Sequence, residues 1–166
     1  MNTSGVQWLD TSQQRDWRAL VMGTTLLFDR LDDELTRAHG ISLTEYEILV
    51  RLSEREGRRM RMAQLADSLA HSRSRVTHTV GRLEAAELVE RIRSPEDGRG
   101  VVCAMTDRGF ELLETMAPTH VKGVRAHLVD LVDSDDFAAV GRVMNLVADH
   151  LIATHPEMEI RDQAGG

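Results

Sequence analysis

Apolar side chains recur at intervals of three and four residues along most of the chain, the spacing that places them on one face of an α-helix. The first such run is long and extends to Gly40, which predicts the end of the helix there. Thr11 and Gln14 have the spacing of a capping box and predict its start. The positions on the repeating face are Leu20, Thr24, Leu27, Phe28, Leu31 and Leu35.

Three shorter helices are predicted to follow. Ser42 with Glu45, or Thr44 with Glu47, offers a start for the second helix. Its apolar positions are Ile48, Leu49 and Leu52. The third and fourth helices are the stretches "RMAQLADSLA" and "SRVTHTVGRLEAAE", which the turn "HSRS" separates. The buried side of the fourth helix is defined by Val76, Val80 and Leu83.

Two short strands and two long helices complete the pattern. The strands are "LVERIRS" and "VVCAMT", and the intervening "PEDGRG" contains the Asp-Gly pair that is typical of a hairpin turn. Thr106 or Asp107 begins a long helix after the hairpin, and Pro118 predicts a kink inside it. Ser134 is predicted to cap the last helix. Its apolar positions are Phe137, Val140, Met144, Val147 and Leu151.

This order of elements predicts a mainly α-helical fold with a small β-wing. Two short helices joined by a turn and followed by a hairpin describe a winged helix-turn-helix. The long helices at both ends are not needed to complete that module, so their apolar faces need another partner. A second copy of the chain is the simplest one, which makes them dimerisation helices. A monomeric helical bundle is the alternative.

Four segments follow from this interpretation. Residues 1–40 form an N-terminal arm and dimerisation helix, and residues 41–106 form the winged helix-turn-helix lobe. Residues 107–155 form the C-terminal dimerisation helices, and residues 156–166 form a flexible tail.

Charge is distributed unevenly along the chain. The net charge is −7, yet residues 51–100 contain eleven arginines and eight acidic residues, which leaves +3 there and −10 elsewhere. Such asymmetry indicates one segment that tolerates a polyanion within an otherwise acidic protein. A solvated helical surface is the alternative reading of the charges alone.

Other classes of protein find little support. The sequence contains no apolar run long enough for a membrane span and no signal peptide, so we expect a cytoplasmic protein. It contains no glycine-rich phosphate loop, nucleophile elbow or paired metal-ligand motif, so we expect no enzyme and no cofactor. Seven histidines keep a metal-responsive variant open, although His120 and His127 lack a metal-ligand spacing. The single cysteine, Cys103, lies in a predicted strand and is expected to be structural.

The stretch "LAHSRSRVTHTVGRLEAAELVERIRSPEDGRGVVCAMTDRG" resembles the MarR family of bacterial transcription regulators. The matching features are Arg82-Leu83-Glu84, Leu88-Val89-Glu90-Arg91, Asp97-Gly98-Arg99, and Met105-Thr106 with Gly109. The similarity covers roughly residues 15–153. Two positions depart from the family pattern. Glu87 stands where glycine is frequent, and Gly98 stands where the first of two arginines is frequent.

The resemblance implies a DNA-binding surface. The fourth helix would enter the major groove, and its polar residues away from the buried side are Arg73, Ser74, Arg75, Thr77, His78 and Arg82. Ser72 or Ser74 would cap the helix and hold a phosphate at its N-terminus. A solvated polar face is the alternative for any one of these residues. Arg99 at the tip of the wing would enter the minor groove. Gly98 and Gly100 would let the backbone turn sharply beside it, and Asp97 would orient an arginine. A plain Asp-Gly turn is the alternative reading of Asp97.

The resemblance also implies a mode of action. The protein would bind double-stranded DNA as a symmetric homodimer, at an inverted repeat with half-sites about 10 base pairs apart. It would act chiefly as a repressor that occupies promoter DNA against polymerase; some family members activate instead, so activation is the alternative. Relatives respond to small aromatic or phenolic compounds. Candidate pocket residues for such a ligand are Trp17, Arg18, Met22, Tyr46 and Met60. An interaction module that has kept the fold without binding DNA is the alternative function.

Overall fold

The computed structural model describes residues 5–94 and 100–153. The helices are α1 (Thr11–His39), α2 (Leu43–Ser53), α3 (Met62–Ser68), α4 (Arg73–Ala85), α5 (Asp107–His127) and α6 (Ser134–Ala153). The strands are β1 (Arg59–Arg61), β2 (Val89–Arg93) and β3 (Val101–Met105). Short 3-10 turns lie at Glu56–Arg58 and Val129–Leu131. The mainly α-helical winged helix-turn-helix expected from the sequence is confirmed.

The described helices other than α3 begin at polar caps, some of them one residue from the predicted position. Asp10, not Thr11, caps α1, because its carboxylate accepts from the Gln13 amide and its own amide donates to the Gln13 side-chain oxygen. Ser42 and Glu45 form the capping box of α2, one of the two predicted starts. Asp133 precedes α6 and accepts from two amides of its first turn, so Ser134 is the first helical residue.

The sheet has three strands where the sequence predicted two. β1 pairs antiparallel with β3, which pairs with β2, in the order β1-β3-β2. Met60 lies opposite Cys103 in this register. β1 escapes prediction because it has three residues, of which Met60 alone is buried. The paired strands thereby anchor the start of α3 to the base of the wing.

The core lies around α2, which packs between α1, α4 and α5. The largest fully buried side chains come from several elements, so one core holds the lobe together. They include Leu35, Ile48, Leu49, Leu52, Leu65, Val80, Leu83 and Met116. α5 runs through Pro118 as one helix and ends at His127.

The end of α4 keeps a left-handed cap without glycine. Glu87 has φ 60°, in the region that favours glycine, and the Leu88 amide donates to the Leu83 carbonyl at 2.9 Å. The Glu87 side chain pairs with Arg108 at 2.8 Å. The chain therefore retains the capped end and accepts the strain there.

Two stretches of helix are poorly covered within one chain. α6 buries none of its residues, and α1 buries only Leu31 and Leu35 near its C-terminal end. The apolar side chains of the N-terminal half of α1 and of α6 are therefore mostly exposed.

Candidate nucleic-acid interface

α4 presents a polar face opposite a buried one. Its 3.6-residue period buries Val76, Thr79, Val80 and Leu83. The period exposes Arg73, Ser74, Arg75, Thr77 and His78, all of which the sequence proposed for DNA contact. Ser72 caps the helix by accepting from the Arg75 amide at 3.2 Å. The exposed face thus lies at the helix N-terminus, the part of a recognition helix that usually meets base edges.

A groove joins this face to the wing. It has a volume of about 330 Å³ and brings Arg73 and Thr77 of α4 beside Gly100 and Val101 at the start of β3. The first residues of α3 complete its wall. α4 and the root of the wing therefore share one concave surface. A DNA double helix bound there would contact both elements.

Arg61 belongs to this groove, although the sequence did not single it out. It is the last residue of β1 and lines the same groove as Arg73. Gly100 has φ 92°, and a Cβ built there would lie 3.6 Å from an Arg61 guanidinium nitrogen. The three-residue strand that places Arg61 beside the wing was not predictable, so only the local charge of the segment could have indicated it.

Three of the predicted wing residues lie outside the described residues. These are Asp97, Gly98 and Arg99, and their predicted roles stay predictions. Gly100, next in the chain, is described and exposed.

Two arginines of α4 contact α2. Arg75 donates to the Thr44 hydroxyl at 3.3 Å. Arg82 donates to the Glu45 carboxylate at 2.9 Å from its Nε atom. Burial by itself raises the pKa of Glu45, but hydrogen bonds from Ser42 and from Arg82 hold the pKa below its ordinary value. Glu45 is therefore ionised at neutral pH and pairs with Arg82.

The candidate ligand residues do not share one cavity within the chain. Tyr46 lines a cavity of about 380 Å³ between α2, the end of α3 and His120 of α5. Met60 lines a different cavity, beside β1. The other three, Trp17, Arg18 and Met22, lie exposed on the N-terminal half of α1.

Cys103 is buried in the middle of β3. Burial raises the pKa of its thiol to about 12, so the thiolate that redox sensing requires is almost absent at neutral pH. Within residues 5–94 and 100–153, no three histidine, cysteine or carboxylate side chains cluster as a metal site needs.

The described part of the chain contains no helix that is both long and apolar enough to cross a membrane.

The two short helices, the sheet behind them and the basic face of α4 together define a winged helix-turn-helix protein. Comparison with known proteins identifies its family. The model of the MarR family matches residues 39–100. The DNA complex of Sco3205, a MarR family transcriptional regulator from Streptomyces coelicolor, matches with a TM-score of 0.86 and 38% sequence identity. That match covers 90% of this chain and 93% of the Sco3205 chain.

Two relatives agree with this match. The HTH-type transcriptional regulator PecS of Dickeya dadantii (strain 3937) is 32% identical over 111 residues, which are 64% of this chain and 67% of PecS. The transcriptional repressor MprA of Escherichia coli (strain K12) is 30% identical over 100 residues, which are 60% of this chain and 56% of MprA. The chain belongs to the MarR family. It is a DNA-binding transcriptional regulator, and its relatives are regulators and not enzymes.

Proposed function

We propose that the protein is a homodimeric repressor that reads an inverted repeat in promoter DNA, in the cytoplasm where that DNA lies. The observation that carries this proposal is the exposed N-terminal face of α4, which continues through a groove into the root of the wing. Arg73 and Arg75 are long enough to reach guanine edges in the major groove, and Ser72, Ser74, Thr77 and His78 flank them. Arg99 would enter the adjacent minor groove.

The homodimer is supported by the uncovered apolar faces. Phe137, Val140 and Val147 lie on one side of α6, and each is at least 40% exposed. On α1, ahead of the buried Leu31 and Leu35, Trp17 and Phe28 are in a similar state. Apolar area on this scale usually marks a protein interface, and a symmetric copy would cover both helices at once. Two copies would present two recognition helices, about 34 Å apart for half-sites one helical turn apart.

Repression is the sign of regulation that we propose. MprA, one of the relatives, is a repressor. A dimer that occupies both half-sites of a promoter competes with polymerase for the same DNA, and no further contact is needed for that effect.

A small aromatic or phenolic ligand is the effector that we propose. The cavity beside Tyr46 suits such a molecule, because it is lined by the Tyr46 and His120 rings, whose centroids are 4.7 Å apart, and by Glu47 and Arg51. Its volume of about 380 Å³ is within the range of small-molecule sites. Hydroxybenzoates, added to the DNA-binding assay, should release DNA from the protein but not from a Tyr46→Ala variant that still folds.

The decisive experiment measures binding to the DNA upstream of the protein's own gene, with a scrambled duplex as control, at several salt concentrations. We expect selective binding and a steep dependence of affinity on salt. Arg73→Ala and Arg99→Ala should each weaken selective binding at least about tenfold, which corresponds to one lost base contact. Arg37→Ala is the matched control, because Arg37 is an exposed arginine that pairs with Asp33 on α1.

The alternative function is an interaction module without DNA binding. If a variant with Arg73, Arg75 and Arg99 all replaced by alanine binds DNA as the native protein does, the proposed interface is wrong. A selection of genomic fragments would then show whether another operator or no operator is bound.

A further inference from the structure

Glu45 of α2 is a buried carboxylate that forms hydrogen bonds both within its own helix cap and with α4. It lies in the first turn of α2, and its residue is 9% exposed. One oxygen accepts from the Ser42 amide at 2.8 Å and from the Ser42 hydroxyl at 2.7 Å. The other oxygen accepts from Arg82 of α4 at 2.9 Å. The same side chain therefore completes the cap of α2 and joins that cap to the recognition helix.

The contact between Glu45 and Arg82 is geometrically demanding. A carboxylate removed from water needs its hydrogen-bond partners, and Arg82 is the partner that supplies the opposite charge. The Arg82 side chain remains half exposed, so the pair lies at the boundary between α2 and solvent. Replacing either partner leaves the other without its counter-charge, and the two helices lose a fixed point of contact.

A second contact reaches the same turn of α2. Arg75 donates to the Thr44 hydroxyl, next to Glu45 in the chain. Arg75 and Arg82 are seven residues apart on α4, roughly 10 Å along the helix axis. In the chain without DNA, two long side chains from separate turns thus converge on one turn of α2. The exposed Arg75 contact is the one that gives way when Arg75 reaches DNA, and the Arg82 contact with the buried Glu45 is the one that remains.

The same turn is tied to α1. The Leu43 amide donates to the Asp32 carboxylate of α1 at 2.7 Å. α1 carries part of the uncovered apolar face that the proposed dimer would bury. The first turn of α2 therefore contacts both α1, which would form part of the dimer interface, and α4, which would bind DNA.

We propose that Glu45 and Arg82 are positioning residues, which hold the recognition helix in the orientation that DNA requires. Arg82 acts through Glu45 and does not contact DNA, in contrast to the role that the sequence indicated for it. The proposal rests on the proposed function, in which α4 enters the major groove.

The direction in which Glu45→Gln changes DNA affinity distinguishes a positioning role from a purely electrostatic effect. Glu45→Gln removes a negative charge near a DNA-binding surface, which by charge alone should tighten binding. Glutamine can still complete a capping box with Ser42, so the start of α2 is retained. If Glu45 positions α4, the substitution should weaken selective binding at least about fivefold, the lower end of typical couplings between sites. Glu54→Gln is the matched control, because Glu54 is exposed at the other end of α2.

A double-mutant cycle with Arg82→Ala tests the same idea independently. The pair should show coupling, so that the double variant binds no more weakly than about the worse of the two single variants. The slope of log affinity against log salt should equal that of the native protein, whereas loss of a phosphate contact would reduce it by about one. Arg82→Lys keeps the charge but loses the guanidinium geometry, and it should restore binding only in part.

Folding is monitored by thermal unfolding, so that a variant which loses affinity through unfolding is recognised. Native or tighter binding by Glu45→Gln overturns the proposal, as does a salt slope reduced by about one in Arg82→Ala. A failure of the proposed function gives a different result, because Arg73→Ala would then also leave DNA binding unchanged. Where Arg73→Ala weakens binding and Glu45→Gln does not, the positioning role alone is wrong.

Discussion

His120 is a half-buried imidazole whose Nδ1 atom is buried and has no hydrogen-bond partner within the described residues. Burial lowers its pKa, because the charged form would lose water without gaining a partner. The ring packs against Tyr46. The neutral ring is therefore the form that the fold accommodates.

This state of His120 predicts a dependence of stability on pH. The unfolded chain takes up the proton near pH 6.5, and the folded chain takes it up only at lower pH. The contribution of the neutral His120 to the free energy of unfolding is therefore fully present above pH 6.5 and is lost as the pH falls below it. His120→Phe keeps a ring against Tyr46 and removes the proton site. We expect the loss of unfolding free energy between pH 8 and pH 5 to be smaller in this variant.

Two neighbours must be considered when that experiment is read. Burial also lowers the pKa of His71, which adds a loss of the same sign in both proteins. Burial raises the pKa of Glu47, which has the opposite effect at low pH. Because both groups remain in the variant, the difference between the two proteins isolates His120. An unchanged pH profile in His120→Phe, with His78→Phe as an exposed control, would contradict the prediction.

Cys103 leads to a prediction about redox chemistry. Its thiol is fully buried and its pKa is raised to about 12, so almost no thiolate is present at neutral pH. We expect a thiol reagent at pH 8 to modify the folded protein very slowly and the denatured protein at once. Hydrogen peroxide should leave DNA binding unchanged. Rapid labelling of the native protein would show that β3 opens, and the structural role of Cys103 would then be wrong.

At the scale of elements, the end of α4 shows how a helix accepts an unfavourable residue. A non-glycine residue in the left-handed region costs roughly 1–2 kcal/mol. Glu87 regains part of this through its ion pair with Arg108, but both side chains are well exposed and such a pair contributes about 0–1 kcal/mol. The left-handed turn places Leu88, the next residue, in the core, and this burial favours the turn in spite of its strain.

Glu87→Gly should therefore stabilise the protein. The gain from relieved strain exceeds the lost ion pair and the added freedom of the unfolded chain, so we expect about 0.5 kcal/mol. Denaturant unfolding measures the change through a higher midpoint at an unchanged slope. Glu87→Ala is the control, since it loses the ion pair and keeps the strain. A lower midpoint for Glu87→Gly than for Glu87→Ala would exclude strain as the main term.

The elements that periodicity predicted are those in which local burial decides the structure. The faces of α2 and α4 and the two strands of the hairpin follow from spacing along the chain. Contacts between distant residues do not follow from it. β1 exists because it pairs with β3, and the partner of Arg82 lies 37 residues away in sequence. The motif glycine Gly109 matched the family pattern, but only the fold shows that a Cβ there would lie 2.1 Å from the Leu88 carbonyl oxygen.

The candidate site divides in the same way. The exposed residues of α4 could be predicted because their buried neighbours fix which side faces solvent. Arg61 and Glu45 could not, because each acquires its role from an element elsewhere in the chain.

At the scale of the whole molecule, the proposed operator sets the number of chains that must bind. An inverted repeat needs two recognition helices, and one chain supplies one. The exposed apolar faces of α1 and α6 are the surfaces that a second chain would cover. A stable interface of this kind buries about 1,200–2,000 Å² in total, which two long helices from each chain can provide.

Carboxylates placed on the apolar side of α6 should therefore separate the dimer. Val140 and Val147 lie on this side, two turns apart and both exposed in the single chain. In the double variant Val140→Glu with Val147→Glu, the buried charges would lack partners, so we expect light scattering at micromolar concentration to give half the native mass. Arg142→Glu is the control, because it adds negative charge on the opposite side of the same helix. The monomer should retain its winged helix-turn-helix, which has its own core.

The DNA assay then distinguishes two reasons for any loss of function. A folded monomer should keep weak, salt-dependent binding through one recognition helix and lose selectivity for the inverted repeat, because a single half-site gives a fraction of the contacts. Binding to duplexes with one or two half-sites should become equal in the monomer, whereas the native protein should prefer two. A native protein that already has the mass of one chain, or a monomeric variant that still prefers two half-sites, would show that α1 and α6 serve some surface other than the dimer.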